Sequence, residues 1–202
     1  LETRAAIPTL EGAGVKLHRA FGFQDPSELD PFLLFDDFRN ENPEDYLRGF
    51  PWHPHRGIET ITYVLSGTVE HGDSLGNAGT LGAGDVQWMT AGSGIVHGEM
   101  FPLVHADTPN HLRLFQIWLN LPSRKKMTDP AFVMHWAPDV QTARAGDGDV
   151  EVVVWAGSLF GAKGQPPPPD SWAADPANDV GIYFLTAKPG SSASLPPADG
   201  GA

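Results

Sequence analysis

Glycine and proline interrupt this sequence so often that long helices are disfavoured along most of it. The chain has 23 glycines and 19 prolines in 202 residues, and they fall mostly between short apolar runs. Such runs, with turn residues between them, are typical of an all-β domain. No stretch shows a long apolar period of 3.6 residues. We therefore expect an all-β fold, a sandwich or a barrel of the jelly-roll kind.

Six short apolar runs are the candidate strands, and turn signals separate several of them. The segment SLGNAG at 74–79 is typical of a hairpin loop. The segments GAGD at 82–85 and AGSG at 91–94 are typical of tight turns, in which glycine supplies a positive φ. The six candidate strands span residues 59–67, 84–92, 94–101, 113–121, 150–157 and 180–187.

Charge and composition argue against several classes of function. The chain has 13 Lys and Arg against 25 Asp and Glu, a formal charge of -12, which disfavours direct binding to nucleic acid. No apolar run reaches the length of a membrane span and no secretory signal is visible, so we expect a cytoplasmic protein. Because the chain has no cysteine, any metal site must use nitrogen and oxygen ligands. Motifs for nucleotide binding and for a serine nucleophile are absent.

The segment HPHRGIE at 53–59 places two histidines and a glutamate close together. Side chains at i and i+2 of a strand point to the same face, so the ring nitrogens of His53 and His55 can reach a common point. Pro54 fixes the backbone between them and stiffens the pair. Two surface histidines beside a proline would show the same spacing. This segment alone therefore leaves a metal site and a polar turn about equally open.

A second pair at the same spacing changes that balance. His97 and Glu99 share their parity with Ile95 and Phe101, which places them on a face that contributes to the core. A buried polar pair is costly unless it is satisfied, and a metal ion would satisfy it. Both pairs together supply three imidazoles and one carboxylate. Such a set suits iron, manganese, copper or nickel with open positions, whereas a structural zinc site is more often closed by four ligands.

Glu59 shares its parity with Ile61 and Tyr63, so we expect it to face inward beneath the histidines. It could be a fifth ligand, a hydrogen-bond acceptor that orients the ligands, or a carboxylate bonded to an inward-facing backbone group. We favour the second of these. His71 is expected to be solvated beside the predicted hairpin. The remaining histidines have no partner at ligand spacing and are expected to be structural or exposed: His18, His105, His111 and His135.

A few other side chains could contact a substrate. Arg56 and Gln116 could orient a polar ligand. Four large side chains could line a pocket for a flat organic molecule, although such residues in strands more often belong to a core. These four are Trp52, Trp88, Met89 and Phe101.

The two histidine-bearing segments resemble the pirin family of the cupin superfamily. The resemblance rests on residues 53–79 and 84–100, and LDPFLLFDDF at 29–38 and QIWLNLPSRKKMTDPAF at 116–132 are similar as well. It covers most of residues 8–190 in order. GDVQWMTAG and FLLFDDF are not general cupin features, which makes the resemblance specific to pirins.

The resemblance implies a fold, a metal and a set of ligands. The fold is a cupin double-stranded β-helix of the bicupin type, with one metal in the amino-terminal barrel. The implied ligands are His53, His55, His97 and Glu99. Iron(II) is the expected metal, with Mn, Cu, Ni, Co or Zn as alternatives. Glu59 aligns with the glutamate of the general cupin motif, which is not a ligand in pirins.

A division of the chain into three parts follows from the same resemblance. Residues 1–163 are expected to form the metal-binding barrel with its flanking strands, and residues 164–179, which include four consecutive prolines, to form a linker or crossing. Residues 180–202 correspond to the first strands of a second cupin. Because pirins continue into a complete second barrel, we expect this one to be truncated.

The resemblance also implies an activity. Pirin-like proteins resemble quercetin 2,3-dioxygenases, which open the central ring of a flavonol with dioxygen and release carbon monoxide. Glu99 is the expected base for the substrate hydroxyl. One alternative is a metal- or redox-dependent regulatory protein that binds a transcription factor or a metabolic enzyme. Another is a metal-stabilised barrel without activity.

Overall fold

Short strands make up most of the regular structure. A computed structural model of the chain describes residues 5–22 and 29–196. Within these ranges no helix is long and apolar enough to cross a membrane. The expected all-β fold is confirmed. The strands are β1 Ile7–Glu11, β2 Val15–Phe21, β3 Phe32–Asn40, β4 Phe50–His55, β5 Ile58–Ser66, β6 Val69–Asp73, β7 Ala78–Leu81, β8 Val86–Thr90, β9 Ile95–Met100, β10 Leu112–Asn120, β11 Ala131–His135, β12 Thr142–Ala145, β13 Val150–Ala156, β14 Ser158–Leu159, β15 Ala162–Lys163 and β16 Ile182–Ala187.

All six predicted strands are present, as β5, β8, β9, β10, β13 and β16. The predicted hairpin loop joins β6 to β7, which pair antiparallel. The turn at 91–94 is also confirmed. Gly92 has a φ of +50°, and a Cβ at this position would lie 2.2 Å from the carbonyl oxygen of Thr128. Only glycine fits this turn, because both the φ and the close approach exclude a side chain.

Two antiparallel sheets face each other and form the jelly-roll barrel. The larger sheet has the order β1-β2-β3-β10-β5-β8-β11 and the smaller sheet has the order β4-β9-β6-β7. Val64 and Leu114 of the larger sheet pack with Val69 and Leu81 of the smaller one in a buried cluster. This cluster fills one part of the space between the sheets. The side of the larger sheet that meets the smaller one is called the inner face below.

A third sheet covers the outer face of the larger one. It has the order β12-β13-β16. Trp155 of β13 and Phe184 of β16 pack with the Tyr63 ring at centroid distances of 4.6 and 5.6 Å, and Ile61 and Ile182 belong to the same buried cluster. The central strands of the larger sheet are therefore buried on both faces. No residue of β5 is exposed. Exposure along this strand therefore does not distinguish its inner face from its outer face.

The proline-rich segment between β15 and β16 packs against the barrel. It contains two short 3-10 turns, Trp172–Ala174 and Pro176–Asn178, and the Ser171 side chain before them is fully buried. β13 lies before this segment in the chain and β16 lies after it, and these two strands pair with each other. The division at 163 and 179 stays a prediction. Residues 1–4, 23–28 and 197–202, which include both predicted outer limits, lie outside the described ranges.

Candidate metal centre

Three neighbouring strands of the smaller sheet carry the polar cluster. β9 lies between β4 and β6. Its His97 pairs with His53 of β4 on one side and with Asp73 of β6 on the other. Glu99, two residues further along β9, pairs with His71 of β6. Paired residues and residues two apart project from the same face of a sheet, so all five side chains lie on one face.

The three predicted histidine ligands come together in one group. His53, His55 and His97 each offer a ring nitrogen, and these atoms lie within 4.8 Å of one another. The Nε2 atoms of His53 and His55 are 3.1 Å apart. His53 Nδ1 lies 2.8 Å from the Pro51 carbonyl oxygen, which can only accept a hydrogen bond. The neutral ring therefore carries its proton on Nδ1, which leaves the Nε2 lone pair for a ligand.

His97 provides the strongest indication of a metal ion. Its side chain is fully buried, and within residues 5–22 and 29–196 neither ring nitrogen has a hydrogen-bond partner. Burial and then the neighbouring histidines lower the pKa of His97 to about 3, and the same causes lower the pKa of His55 to about 3. Both rings are therefore neutral at physiological pH, the form that binds a metal. A buried polar ring without a partner is costly, so these donors fit a cation.

Glu99 lies in a second group that overlaps with the first. Among the described residues, it offers a carboxylate oxygen within 4.8 Å of ligand atoms of His71 and His97, and this group does not include His53 or His55. Its charge nevertheless acts on His55, whose protonated form it favours. The four predicted ligands thus occupy two groups that share His97.

The prediction that His71 is solvated was wrong. His71 is buried, its Nε2 lies 3.3 Å from Asp73 Oδ2, and Gln87 Nε2 lies 3.3 Å from its Nδ1. The hairpin of β6 and β7 is a wall of the barrel, so its inner face is covered. The alternation of Val69, His71 and Asp73 was the signal for this, because a buried Val marks the inward parity. Since both ring nitrogens are engaged, His71 is a weaker candidate ligand than His53 or His55.

The position predicted for Glu59 was also wrong. Glu59 shares its face of β5 with Ile61 and Tyr63, which pack against the third sheet and not against the histidines. The carboxylate accepts four hydrogen bonds, at 2.7 to 3.1 Å. The donors are Trp88 Nε1, Thr90 Oγ1, Ser171 Oγ and the backbone N–H of Trp172. Three of the donors are side chains and one is a backbone N–H, and they lie on the face of β5 away from the histidines, so none of the three predicted alternatives is observed.

The inner face of β10 holds Glu99 in place. Gln116 donates from Nε2 to Glu99 Oε2 at 3.2 Å, and Trp118 Nε1 lies 3.4 Å from Gln116 Oε1. Because the indole N–H can only donate, it fixes the carbonyl end of the amide and turns the donor end toward Glu99. The Trp118 ring also meets the His55 ring edge-on at 4.9 Å. Sequence reasoning missed Trp118, although it shares its parity with Gln116.

The predicted aromatic pocket does not form. Trp52 is 63% exposed on the outside of the barrel, and Trp88 is fully buried on the outer face of the larger sheet. Phe101 belongs to the core between the two sheets. Arg56 is exposed and lies 3.4 Å from the sulfur of Met127. Instead, His53 and His55, which are half-buried, lie on the side of the centre nearest solvent.

Comparison with known proteins agrees with this architecture. Residues 14–119 match the family model described as Pirin. A pirin-like protein from Caulobacter vibrioides is 46% identical over 151 residues, which cover 75% of this chain and 53% of that protein. The chain belongs to the pirin family. It spans about half the length of that pirin relative.

Solved structures similar to this pirin-family chain confirm the cupin-type barrel. A quercetin 2,3-dioxygenase from Acinetobacter baumannii has a TM-score of 0.70 at 34% identity, over 80% of this chain and 57% of that chain. The bacterial pirin YhhW from Escherichia coli, in complex with nickel(II), has a TM-score of 0.53 at 30% identity, over 77% of this chain and 71% of that chain.

Proposed function

We propose that this pirin-family protein is a mononuclear iron(II) dioxygenase that opens the central ring of a flavonol. The observation that carries the proposal is the buried His97 ring, whose two nitrogens have no partner among the described residues although two further imidazoles approach it. A polar group is left in this state only where something else satisfies it. The similarity to the A. baumannii quercetin 2,3-dioxygenase supports the choice of reaction.

The proposed ligands are His53, His55, His97 and Glu99. His53 and His55 are preferred over His71, because their Nε2 atoms face each other whereas both ring nitrogens of His71 are engaged. A bound iron(II) ion would acidify a coordinated hydroxyl group and stabilise the anion that results. Mn, Cu, Ni, Co and Zn suit the same nitrogen and oxygen donors. The nickel(II) complex belongs to the E. coli protein.

Glu99 is the proposed base. Its Oε2 accepts the hydrogen bond from Gln116, so Oε1 is the oxygen left to face the metal, and the carboxylate would take the proton of the flavonol 3-hydroxyl. The side chain is 3% exposed, and exclusion of water strengthens its interaction with a nearby hydroxyl group. Gln116 acts as a positioning residue, since its amide holds the carboxylate without reaching the substrate.

The shape of the barrel determines where a flavonol can approach. The core on the inner face closes one end, where the Phe38 ring packs against Phe50 and Phe101 at about 6 Å. The half-buried His53 and His55 leave the other side accessible. Trp118, in contact with His55, offers an aromatic edge at this entrance. Contact between an aromatic substrate and this ring would be favourable.

The experiment that tests the proposal joins metal analysis to an oxygen-dependent assay. The protein as isolated is expected to contain about one iron per chain and to release carbon monoxide from quercetin in air but not under nitrogen. The His97→Ala variant is expected to lose both metal and activity. His111→Ala, at an exposed histidine, is the matched control and is expected to keep both.

Two results would contradict the proposal. Fully iron-loaded protein that consumes no oxygen with flavonols would exclude the dioxygenase reaction. Retention of that iron together with a co-purifying protein would then support the regulatory alternative. Wild-type iron content in His97→Ala would exclude the proposed centre itself.

A further inference from the structure

The barrel has an open seam between two edge strands. β7 is the last strand of the smaller sheet and β11 is the last strand of the larger one, and each pairs with a single neighbour within its own sheet. A cavity of about 70 Å³ lies between them. Its walls include Leu81 of β7 and Phe132, Met134 and Trp136 from β11 and the residue just after it. These four walls are apolar side chains, two of them with aromatic rings.

Gly79 lines the cavity, and open space lies where its side chain would begin. Gly79 pairs with His71 across β6 and β7, so a side chain at 79 would project over the His71 ring. A Cβ built at this position meets no atom within 4 Å. The backbone here is an ordinary strand and does not need glycine, as its φ lies outside the positive range. The space can therefore be filled by substitution without backbone strain.

His71 forms the floor of the cavity and connects it to the metal centre. Its ring stacks on Phe132 at 5.0 Å with an interplanar angle of 21°. Because Asp73 and Gln87 engage both ring nitrogens, the ring offers the cavity mainly its face. On the other side, His71 pairs with Glu99, and its ring lies 5.4 Å from that of His97. The His71 ring therefore lies between the cavity and the centre, on the β6 side and away from His53 and His55.

The size and lining of the cavity select its occupant. An apolar cavity of about 150 Å³ stays dry and binds benzene or xenon. A cavity of about 70 Å³ is too small for benzene and much too small for a flavonol, but it holds a molecule of two heavy atoms. We propose that this seam is a binding site for dioxygen, which approaches the metal centre past His71 while the organic substrate enters beside His53 and His55.

The site itself follows from the cavity alone, but its use for dioxygen rests on the proposed dioxygenase function. The first test therefore does not need activity. Crystals of the protein under xenon pressure are expected to show xenon between β7 and β11, in contact with Leu81 and Phe132. Gly79→Val fills this space and is expected to lose that xenon peak. Thr142→Leu adds bulk at an exposed position of the edge strand β12 and is expected to retain it.

The second test measures turnover as dioxygen is varied. Gly79→Val is expected to raise the KM for dioxygen severalfold, with the KM for flavonol and the kcat at saturating dioxygen unchanged. Gly79→Ala should give a smaller rise in the KM for dioxygen and Thr142→Leu none.

Wild-type crystals without xenon in the seam would overturn the proposed binding site. Xenon in the seam with an unchanged KM for dioxygen in Gly79→Val would overturn its role in delivery. Absence of flavonol turnover in wild type would overturn the proposed function, and the xenon result would still decide the site.

Discussion

Glu59 and His97 are both fully buried polar side chains, and they lie on different sheets of one barrel with opposite surroundings. Glu59, on the outer face of the larger sheet, receives four hydrogen bonds from the protein. His97, on the smaller sheet, has no hydrogen-bond partner at either ring nitrogen in the part of the chain that the structure describes. The fold therefore satisfies the Glu59 carboxylate completely, whereas it leaves the His97 ring for a ligand.

The largest expected effect is on turnover at the unsatisfied centre. Glu99→Gln removes the proposed base while leaving an amide of the same shape, so kcat with a flavonol should fall on the order of a thousandfold. Part of the metal should remain, because three imidazoles are unchanged. Rates are compared at equal iron content, measured by elemental analysis. An unchanged rate at full loading would remove Glu99 from the proposed role.

The next largest effect is expected on the free energy of unfolding when Glu59 is removed. Glu59→Ala leaves the N–H groups of Trp88 and Trp172 buried without an acceptor, which should lower the free energy of unfolding by about 3 kcal/mol. Urea unfolding measures this, with Glu70→Ala at an exposed glutamate as the control. Equal unfolding midpoints for Glu59→Ala and Glu70→Ala would mean that the four hydrogen bonds contribute little.

A smaller effect is expected for the residue that holds Glu99. Gln116→Leu removes the donor to Oε2, and loss of such a supporting contact should lower kcat about tenfold with little change in the KM for flavonol. Gln165→Leu, at a glutamine whose amide bonds the Asp139 carbonyl oxygen on the surface, should leave both constants unchanged. A rise in KM without a fall in kcat would instead assign Gln116 to substrate binding.

The smallest effect is expected on the free energy of unfolding when the unsatisfied His97 ring itself is removed. His97→Leu replaces an unsatisfied buried ring with an apolar side chain, so the metal-free protein should keep its free energy of unfolding within about 1 kcal/mol. Metal should raise the melting temperature of the wild type but not of this variant. A loss of several kcal/mol in metal-free His97→Leu would show that the ring has a structural role.

Strand alternation placed the metal-centre residues correctly where one face of a strand is exposed. β9 alternates between buried and exposed or half-buried positions along its length, so the inward direction of His97 and Glu99 could be predicted from Ile95. β5 has no such alternation, because most of its residues are buried on both faces. Its parity therefore gave Glu59 the same face as Ile61 but could not identify which face met the histidines.

Local patterns in the chain were enough to predict the all-β class and six of the strands. They also predicted that His53 and His55, and likewise His97 and Glu99, share a face, because these features depend on turn residues and on the two-residue period of a strand. The surroundings of Glu59, the burial of His71 and the presence of the seam became visible only in the folded chain. Each depends on the register between strands distant in the chain. β16, more than a hundred residues after Glu59, belongs to the sheet that covers its side of β5, and no local pattern encodes that contact.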